Sequence, residues 1–359
     1  MSNEFRADHV GSLLRPPALL DARRRHEAGE VPDAGLRAAE DEAIAAAVRR
    51  QEESGIGVVT DGEFRRQDFR TGFVEAVDGL TRQTWDMPWH SGEGTVTIPS
   101  HTWVATARLA QKGRMTAHES AFMRSLTSAP VKVTLIAPGF LVDRFWKDGV
   151  TDRFYSSRDE FAAEVAAITK AEVEALLAEG VRYVQLDNPG YGRFLGSRPH
   201  GTAEELERVL AADAAAVTGV TRPDGAVIGF HVCRGNQSSM WMGEGDYEPI
   251  AEQLFSELPA DRFLLEYDDE RSGGFAPLRF VPAGKTVVLG LVSSKTETLE
   301  DVAGLRRRID QAAAATRAEL ALSPQCGFAS IAEGGNSLTA EAELAKLRLV
   351  ADTARAVWG

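Results

Sequence analysis

The stretch AVIGFHVCRG, residues 226–235, carries the reading of the fold. It is short and apolar, ends in a glycine, and turns polar only at its close. A run of that length bounded by turn residues reads as a strand buried on both faces. Seven other runs share the form: FRADHVGS (5–12), GVVTDGE (57–63), VKVTLIAPG (131–139), VRYVQLDNPG (181–190), RFLLEYDDE (262–270), KTVVLGLVSSK (285–295) and LALSPQCGFAS (320–330). The first of these is a weak strand and the second a clear one. Between the runs lie helical patterns at 36–54, 157–180, 202–217, 299–316 and 339–357. In the first of them Leu36, Ala39, Ala43, Ile44, Ala47 and Val48 share one face at a period of 3.6. Thr202 with Glu205 reads as a capping box, and Thr339 as an N-cap.

Eight strands, each followed by a helix, is the count of a TIM (β/α)8 barrel, an α/β fold. An open doubly wound sheet would show the same alternation. No G-x-G-x-x-G follows an early strand, which disfavours a dinucleotide-binding sheet. We expect one barrel domain over residues 1–359. Residues 80–110 break the pattern. TWDMPWHSGEGTVTIPSHTW (84–103) holds three of the six tryptophans and alternates as β-structure does. It reads as a β-hairpin inserted between the second and third strands, placed to cover the barrel mouth or to join a second subunit in a homodimer.

Hydrophobic residues make up 43% of the 359, enough for a large core. Apolar runs stop within about ten residues, well short of the roughly 20 that span a bilayer. The opening MSNEFRADHVGS lacks the layout of a signal peptide, and we expect a cytoplasmic protein. A net charge of −13 disfavours nucleic-acid and membrane partners, which call for a basic face. Arg15, Arg65, Arg66, Arg234 and Arg271 flank the strand ends. They would serve an anionic substrate or be ordinary surface charges.

In a barrel, chemistry gathers where the strands end, and the polar residues of this sequence gather there too. Gly11 and Ser12 close the first strand, Asp61, Gly62 and Glu63 the second, and Asp187 and Asn188 the fourth. His231 and Cys233 close the fifth, Glu266, Asp268 and Asp269 belong to the sixth, and Cys326 to the eighth. Alternate strand residues share a face, so His231 and Cys233 point the same way. Facing inward, they would meet Glu266 and Cys326 from other strands as an N, S, O, S donor set, which suits zinc. The alternatives are small buried cysteines, a hydrogen-bonded core histidine and a glutamate in an internal ion pair.

The segments HVGSLLRP (9–16), VVTDGEFRRQDF (58–69), VQLDNPG (184–190), FHVCRGN (230–236), LLEYDDERSG (264–273), LGLVSSKTETLE (289–300) and LSPQCGF (322–328) together resemble the catalytic barrel of the cobalamin-independent methionine synthase family. The likeness is greatest to its short, single-barrel members. The resemblance implies a Zn2+ cofactor held by His231, Cys233, Glu266 and Cys326. It implies that Gly11, Ser12, Glu63 and Asp187 bind the amino-acid part of homocysteine. Carboxylates suit an ammonium group, and N–H groups with the Ser12 hydroxyl suit a carboxylate. The implied reaction is methyl transfer to that thiol, with Asp187, His9 and Asp268 as candidate proton donors to a poor leaving group. Phe145 and Trp146 are candidates to stack on a flat methyl donor.

Two positions depart from the family pattern. Asp187-Asn188-Pro189 stands where Asp-Glu-Pro is usual, and Ser293, Ser294 and Lys295 stand where a histidine follows the seventh strand. The alternatives for function are alkyl transfer to another thiol, as in epoxyalkane:coenzyme M transferases, and a non-catalytic zinc-binding barrel. A sulfonate thiol would need an arginine pocket in place of Glu63 and Asp187.

Overall fold

Every residue of the strand Tyr183-Val184-Gln185-Leu186-Asp187 but the last is fully buried, as expected where both faces of a parallel sheet are covered. The same holds along the sheet to which it belongs. In the computed structural model, which describes all residues except 1–4, 92, 117–118, 197–198 and 333–335, an antiparallel hairpin of β1 (Val77–Ser91) and β2 (Gly94–Gln111) precedes six parallel strands. These are β3 (Lys132–Ile136), β4 (Tyr183–Asp187), β5 (Val227–Val232), β6 (Arg262–Glu266), β7 (Thr286–Val292) and β8 (Glu319–Pro324), side by side in chain order.

Two short segments close the ring. Asp8 N donates to Leu322 O at 2.8 Å and Leu322 N to Arg6 O at 2.9 Å, which joins the chain start to β8. Gly57 N donates to Ala7 O at 2.9 Å, and Lys132 N to Val59 O at 2.9 Å, which carries the ring on to β3. The first two expected strands, 5–12 and 57–63, are therefore reduced to single bridges at Ala7 and Val59. The second is shorter than its sequence predicts because Gly62 and Glu63 adopt positive φ, +70° and +61°, which no strand accommodates. The eight-stave TIM barrel stands.

Side chains inside the ring lie in layers. Lys132, Tyr183 and Arg262, the first residues of β3, β4 and β6, converge on Asp8 at the floor. Lys132 Nζ is 2.8 Å from Asp8 Oδ1, Tyr183 Oη 3.0 Å and Arg262 Nη2 3.7 Å from Oδ2. Above them Val10, Leu264, Val288 and Ala321 make a separate apolar cluster. Two residues further along, Ser12 and Glu266 face the same interior.

The helices around the ring agree with the 3.6-residue pattern. Asp33–Ser54, Arg158–Ala178, Ala203–Ala215, Val302–Ala315 and Ala340–Trp358 match the five expected spans within three residues at either end. Thr202 and Glu205 form the reciprocal capping box, and the Thr339 hydroxyl accepts from Ala342 N. Helices Pro17–Glu27 and Pro138–Phe145 have no counterpart in the sequence reading. The hairpin runs slightly beyond the expected 80–110, and its tip is tied down over the barrel: His90 N donates to Trp241 O at 2.8 Å and Trp241 N to His90 O at 3.0 Å. Among the described residues no helix is long and apolar enough to cross a membrane.

Candidate metal centre

His231 lies on β5 and Cys233 directly beyond it, Glu266 ends β6, and Cys326 follows β8. All four are buried, and one ligand atom from each lies within 4.8 Å of the others. The two Sγ atoms are 3.5 Å apart. A tetrahedron with bonds of about 2.0–2.3 Å has edges of roughly 3.3–3.8 Å, so the thiol pair is already spaced as two ligands.

The surroundings orient the donors. His231 Nδ1 is 3.2 Å from the Leu264 carbonyl, which fixes Nδ1 as the N–H and leaves the lone pair on Nε2. That Nε2 is buried without a hydrogen-bond partner, a position rarely left empty. Glu266 Oε1 accepts from Arg234 N at 2.7 Å, and Cys233 Sγ accepts from Gly235 N at 3.2 Å. Without a cation these groups share protons. Burial alone would depress the His231 pKa, but the neighbouring Cys326, with the charges of Asp187 and Glu266, raises it to about 9. The hydrogen bond from Cys233 and the imidazolium together outweigh burial and hold Cys326 well below a normal thiol. Cys233, the donor of that bond, and Glu266, desolvated, are both pushed up. An unpartnered imidazole nitrogen, two thiols and a carboxylate fit a divalent ion of borderline softness.

His231, Cys233 and Cys326 line a cavity of about 1010 Å³ whose wall also includes Ser12, Glu63 and Asp187, and Glu266 lies behind them. The left-handed Glu63 backbone is held by Glu63 N donating to Asp61 Oδ1 at 2.8 Å, and its carboxylate accepts from Thr134 Oγ1 at 2.8 Å. Asp187 accepts from Gln185 Nε2 at 2.8 Å. Burial, aided by the Glu63 charge, raises its pKa to about 7, against the pull of His231 and Gln185. Gly11 sits at φ +146°, and a Cβ there would lie 2.7 Å from Thr134 Cγ2 and 3.3 Å from Glu63 Oε1; the turn closes against the carboxylate because that residue is glycine.

Several expected roles do not fit their places. His9 does not reach the mouth. Asp8 and Val10 face the barrel interior, so His9 faces the helix layer. It is wholly buried near Val58 and Gln51, and burial, with the Lys132 charge, depresses its pKa to about 3. Asp268 accepts from Ser293 Oγ at 3.0 Å and is not part of the cavity wall. Phe145 is in the core. Trp146 donates from Nε1 to Asp148 at 2.6 Å and faces Arg158, and neither ring lines the cavity. Asn188 turns away to donate to Asp213 Oδ2 at 2.7 Å. Lys295 Nζ is buried without a partner, and its charge acts on Glu266 and Cys326. Arg66 and Arg65 are taken up by Glu119 and Asp41, and Arg15 by backbone carbonyls including that of Glu63.

The upper wall was not foreseen in its detail. Trp85, Trp89 and Trp103 of the hairpin line it with Phe69, Arg70, Phe140 and Arg144. Phe140 and Arg144 are four residues apart on Pro138–Phe145 and so share a helical face. Recognising the helix would have placed them together.

Residues 5–354 match the sequence profile of the family described as "Cobalamin-independent synthase, Catalytic domain". The "Uncharacterized protein YxjH" of Bacillus subtilis (strain 168) is 37% identical over an alignment 371 positions long that covers 99% of this chain and 95% of that protein. A methionine synthase of Sulfolobus acidocaldarius is 26% identical over 64% of this chain and 61% of its own length. A solved structure from Listeria monocytogenes, provisionally assigned as a vitamin-B12-independent methionine synthase, superposes with a TM-score of 0.78 at 28% identity, over 99% of this chain and 98% of that one.

Proposed function

The chain belongs to the cobalamin-independent synthase catalytic-domain family, and from that premise we propose that it is a zinc-dependent methyltransferase that converts homocysteine to methionine. The observation that carries the reading is the convergence of His231, Cys233, Glu266 and Cys326, three of them on the wall of a cavity that also holds Glu63 and Asp187. Zinc in that donor set would keep a substrate thiol deprotonated at neutral pH.

The residues of the chain do the rest. Glu63 and Asp187 receive the substrate ammonium, and Ser12 with the backbone at Gly11 receives its carboxylate. So held, the sulfur has one direction in which to react, towards the open cavity. The sulfur lone pair forms the bond to the methyl carbon. The bond from that carbon to its carrier breaks, with its electrons going to the carrier atom. Of the three proposed proton donors, Asp187 alone lines the cavity. The charge of a bound ammonium would favour the ionised form of Asp187, so we assign it to binding rather than to proton delivery. Two carboxylates at this end disfavour a sulfonate thiol.

The test is metal analysis followed by incubation of the zinc form with homocysteine and a panel of methyl donors: methyl-folates with one or several glutamates, methylcobalamin and S-methyl compounds. Methionine formation that needs zinc and is lost in Cys326→Ala is expected. Stoichiometric zinc with no methionine from any donor would leave the non-catalytic alternative.

A further inference from the structure

Beside the metal ligands stands a cation with no counter-ion of its own. Lys295 follows β7, and β7 lies between β6, which ends in Glu266, and β8, which leads to Cys326. Its backbone is pinned to the loops that carry the other ligands. Ser239 Oγ, beyond β5, donates to Lys295 O at 3.0 Å. Ser294 N and Oγ both donate to Gln325 Oε1 at 2.7 Å, and Gln325 precedes Cys326. The main chain is fixed on both sides, yet the Lys295 ammonium is buried and has no hydrogen bond or ion pair among the described residues. Arg234, which also feels the Glu266 charge, is turned elsewhere: it lies 4.7 Å from the Tyr247 ring centroid and donates from Nη1 to Arg271 O at 3.2 Å.

A buried charge without a partner is unfavourable, and an apolar side chain of similar volume would avoid the penalty. The reason for a lysine lies in what its charge acts on. Burial pushes the Glu266 carboxyl up, and Lys295 is the foremost charge opposing that rise. With the hydrogen bond from Cys233 and the His231 imidazolium, it also holds Cys326 below a normal thiol. The charge of the loaded centre supplies the need. Two thiolates and a carboxylate around a divalent ion, with a neutral imidazole, leave one net negative charge. A substrate sulfur bound as thiolate, its proton lost to solvent, adds a second. In a buried site such an excess is unfavourable unless a fixed cation offsets it.

We propose that Lys295 is the counter-cation of the metal centre: it stabilises the second negative charge that a thiolate brings to the loaded site. It does not line the cavity, so it acts through Glu266 and Cys326 and not on the substrate, and it holds a charge without transferring a proton. The inference concerns any thiol that reaches the metal. It rests on the methyltransferase reading only in naming homocysteine as that thiol. Lys295 differs in this from Lys132 at the floor, whose ammonium is already paired with Asp8; Lys295 gains its full set of partner charges only when the centre is loaded.

The experiment measures binding of homocysteine, methionine and 2-mercaptoethanol to the zinc-loaded chain by calorimetry, and to the cobalt-substituted chain by its absorption spectrum. Homocysteine and methionine share an amino-acid part, but only homocysteine brings a thiolate; 2-mercaptoethanol brings the thiolate alone. In Lys295→Met both thiols should bind about tenfold or more weakly, with methionine affinity and zinc content unchanged. Lys295→Arg should restore most of the loss. The zinc-free Lys295→Met chain should be no less stable to denaturant than the wild type, because no ion pair is broken. Lys295→Gln gives the same comparison should Lys295→Met not fold. Thiol affinities that do not fall, homocysteine and methionine weakened alike, or a wild-type chain whose metal takes up no thiol would each overturn the inference. A Lys295-dependent affinity for 2-mercaptoethanol in a chain that does not bind homocysteine would instead overturn the methyltransferase reading and leave the counter-cation standing.

Discussion

At the residue scale the site is governed by which side chain faces inward and what its neighbours do to its proton. His231 must be neutral to offer Nε2, yet in the metal-free chain its pKa is raised to about 9. Below that pH a cation has to displace a proton. Zinc affinity is therefore expected to rise with pH between 6 and 8, by about tenfold per unit for each proton released. Competition against a chelator at several pH values reads this directly, and a flat profile would mean that His231 is not a ligand. Asp187 titrates near 7 because burial disfavours its charge. An ammonium ligand needs it ionised, so homocysteine affinity should climb as pH passes through 7, and Asp187→Asn should flatten that climb. Glu63→Gln should keep zinc and weaken homocysteine by roughly tenfold, the value of one charged hydrogen bond; unchanged affinity would remove Glu63 from the binding role. The i, i+2 spacing of His231 and Cys233 was legible because strand alternation is local. The placement of His9 was not read, although the same alternation sends it to the helix layer, because the first strand is too short to declare its inner face.

At the element scale the strand ends are brought into line by close backbone approaches. Gly290 on β7 is one of them: a Cβ there would lie 2.7 Å from Gln325 Cα and 2.8 Å from Leu265 O. The β7–β8 register shifts just beyond it, between Gly290 and Val292, and Gln325 precedes Cys326. Gly290→Ala is expected to lower stability by about 1–3 kcal/mol through overpacking and to weaken zinc as Cys326 is displaced. Denaturation midpoint and metal content measure the two effects, and a substitution that moves neither would show the contact to be compliant. Helix spans and caps were readable because period and capping chemistry are local. The second stave was over-read: its apolar run looked as strand-like as the rest, but Asp61-Gly62-Glu63 bends away to deliver the Glu63 carboxylate. The hairpin was readable as β-structure, while its seating over the mouth depends on the distant Trp241.

At the scale of the whole molecule the barrel holds its polar groups at both ends and an apolar layer between. The floor pair of Lys132 and Asp8 is fully buried, so removing one partner strands the other. Lys132→Met should cost about 3–5 kcal/mol, read by chemical denaturation. The metal is not expected to matter in this way. A chain of this size has core enough without it, so Cys326→Ala should lose zinc yet keep its circular dichroism and a cooperative thermal transition. Eight alternating units and the inner and outer faces of most strands follow from the order of residues, because each is a matter of period over a few positions, and the four candidate metal ligands were named there by the family resemblance. Closure of the ring, the meeting of Cys326 with Cys233 across 93 residues, and the seating of the hairpin against Trp241 do not follow from that order. They depend on distances between segments far apart in the chain, which packing sets and local spacing does not encode.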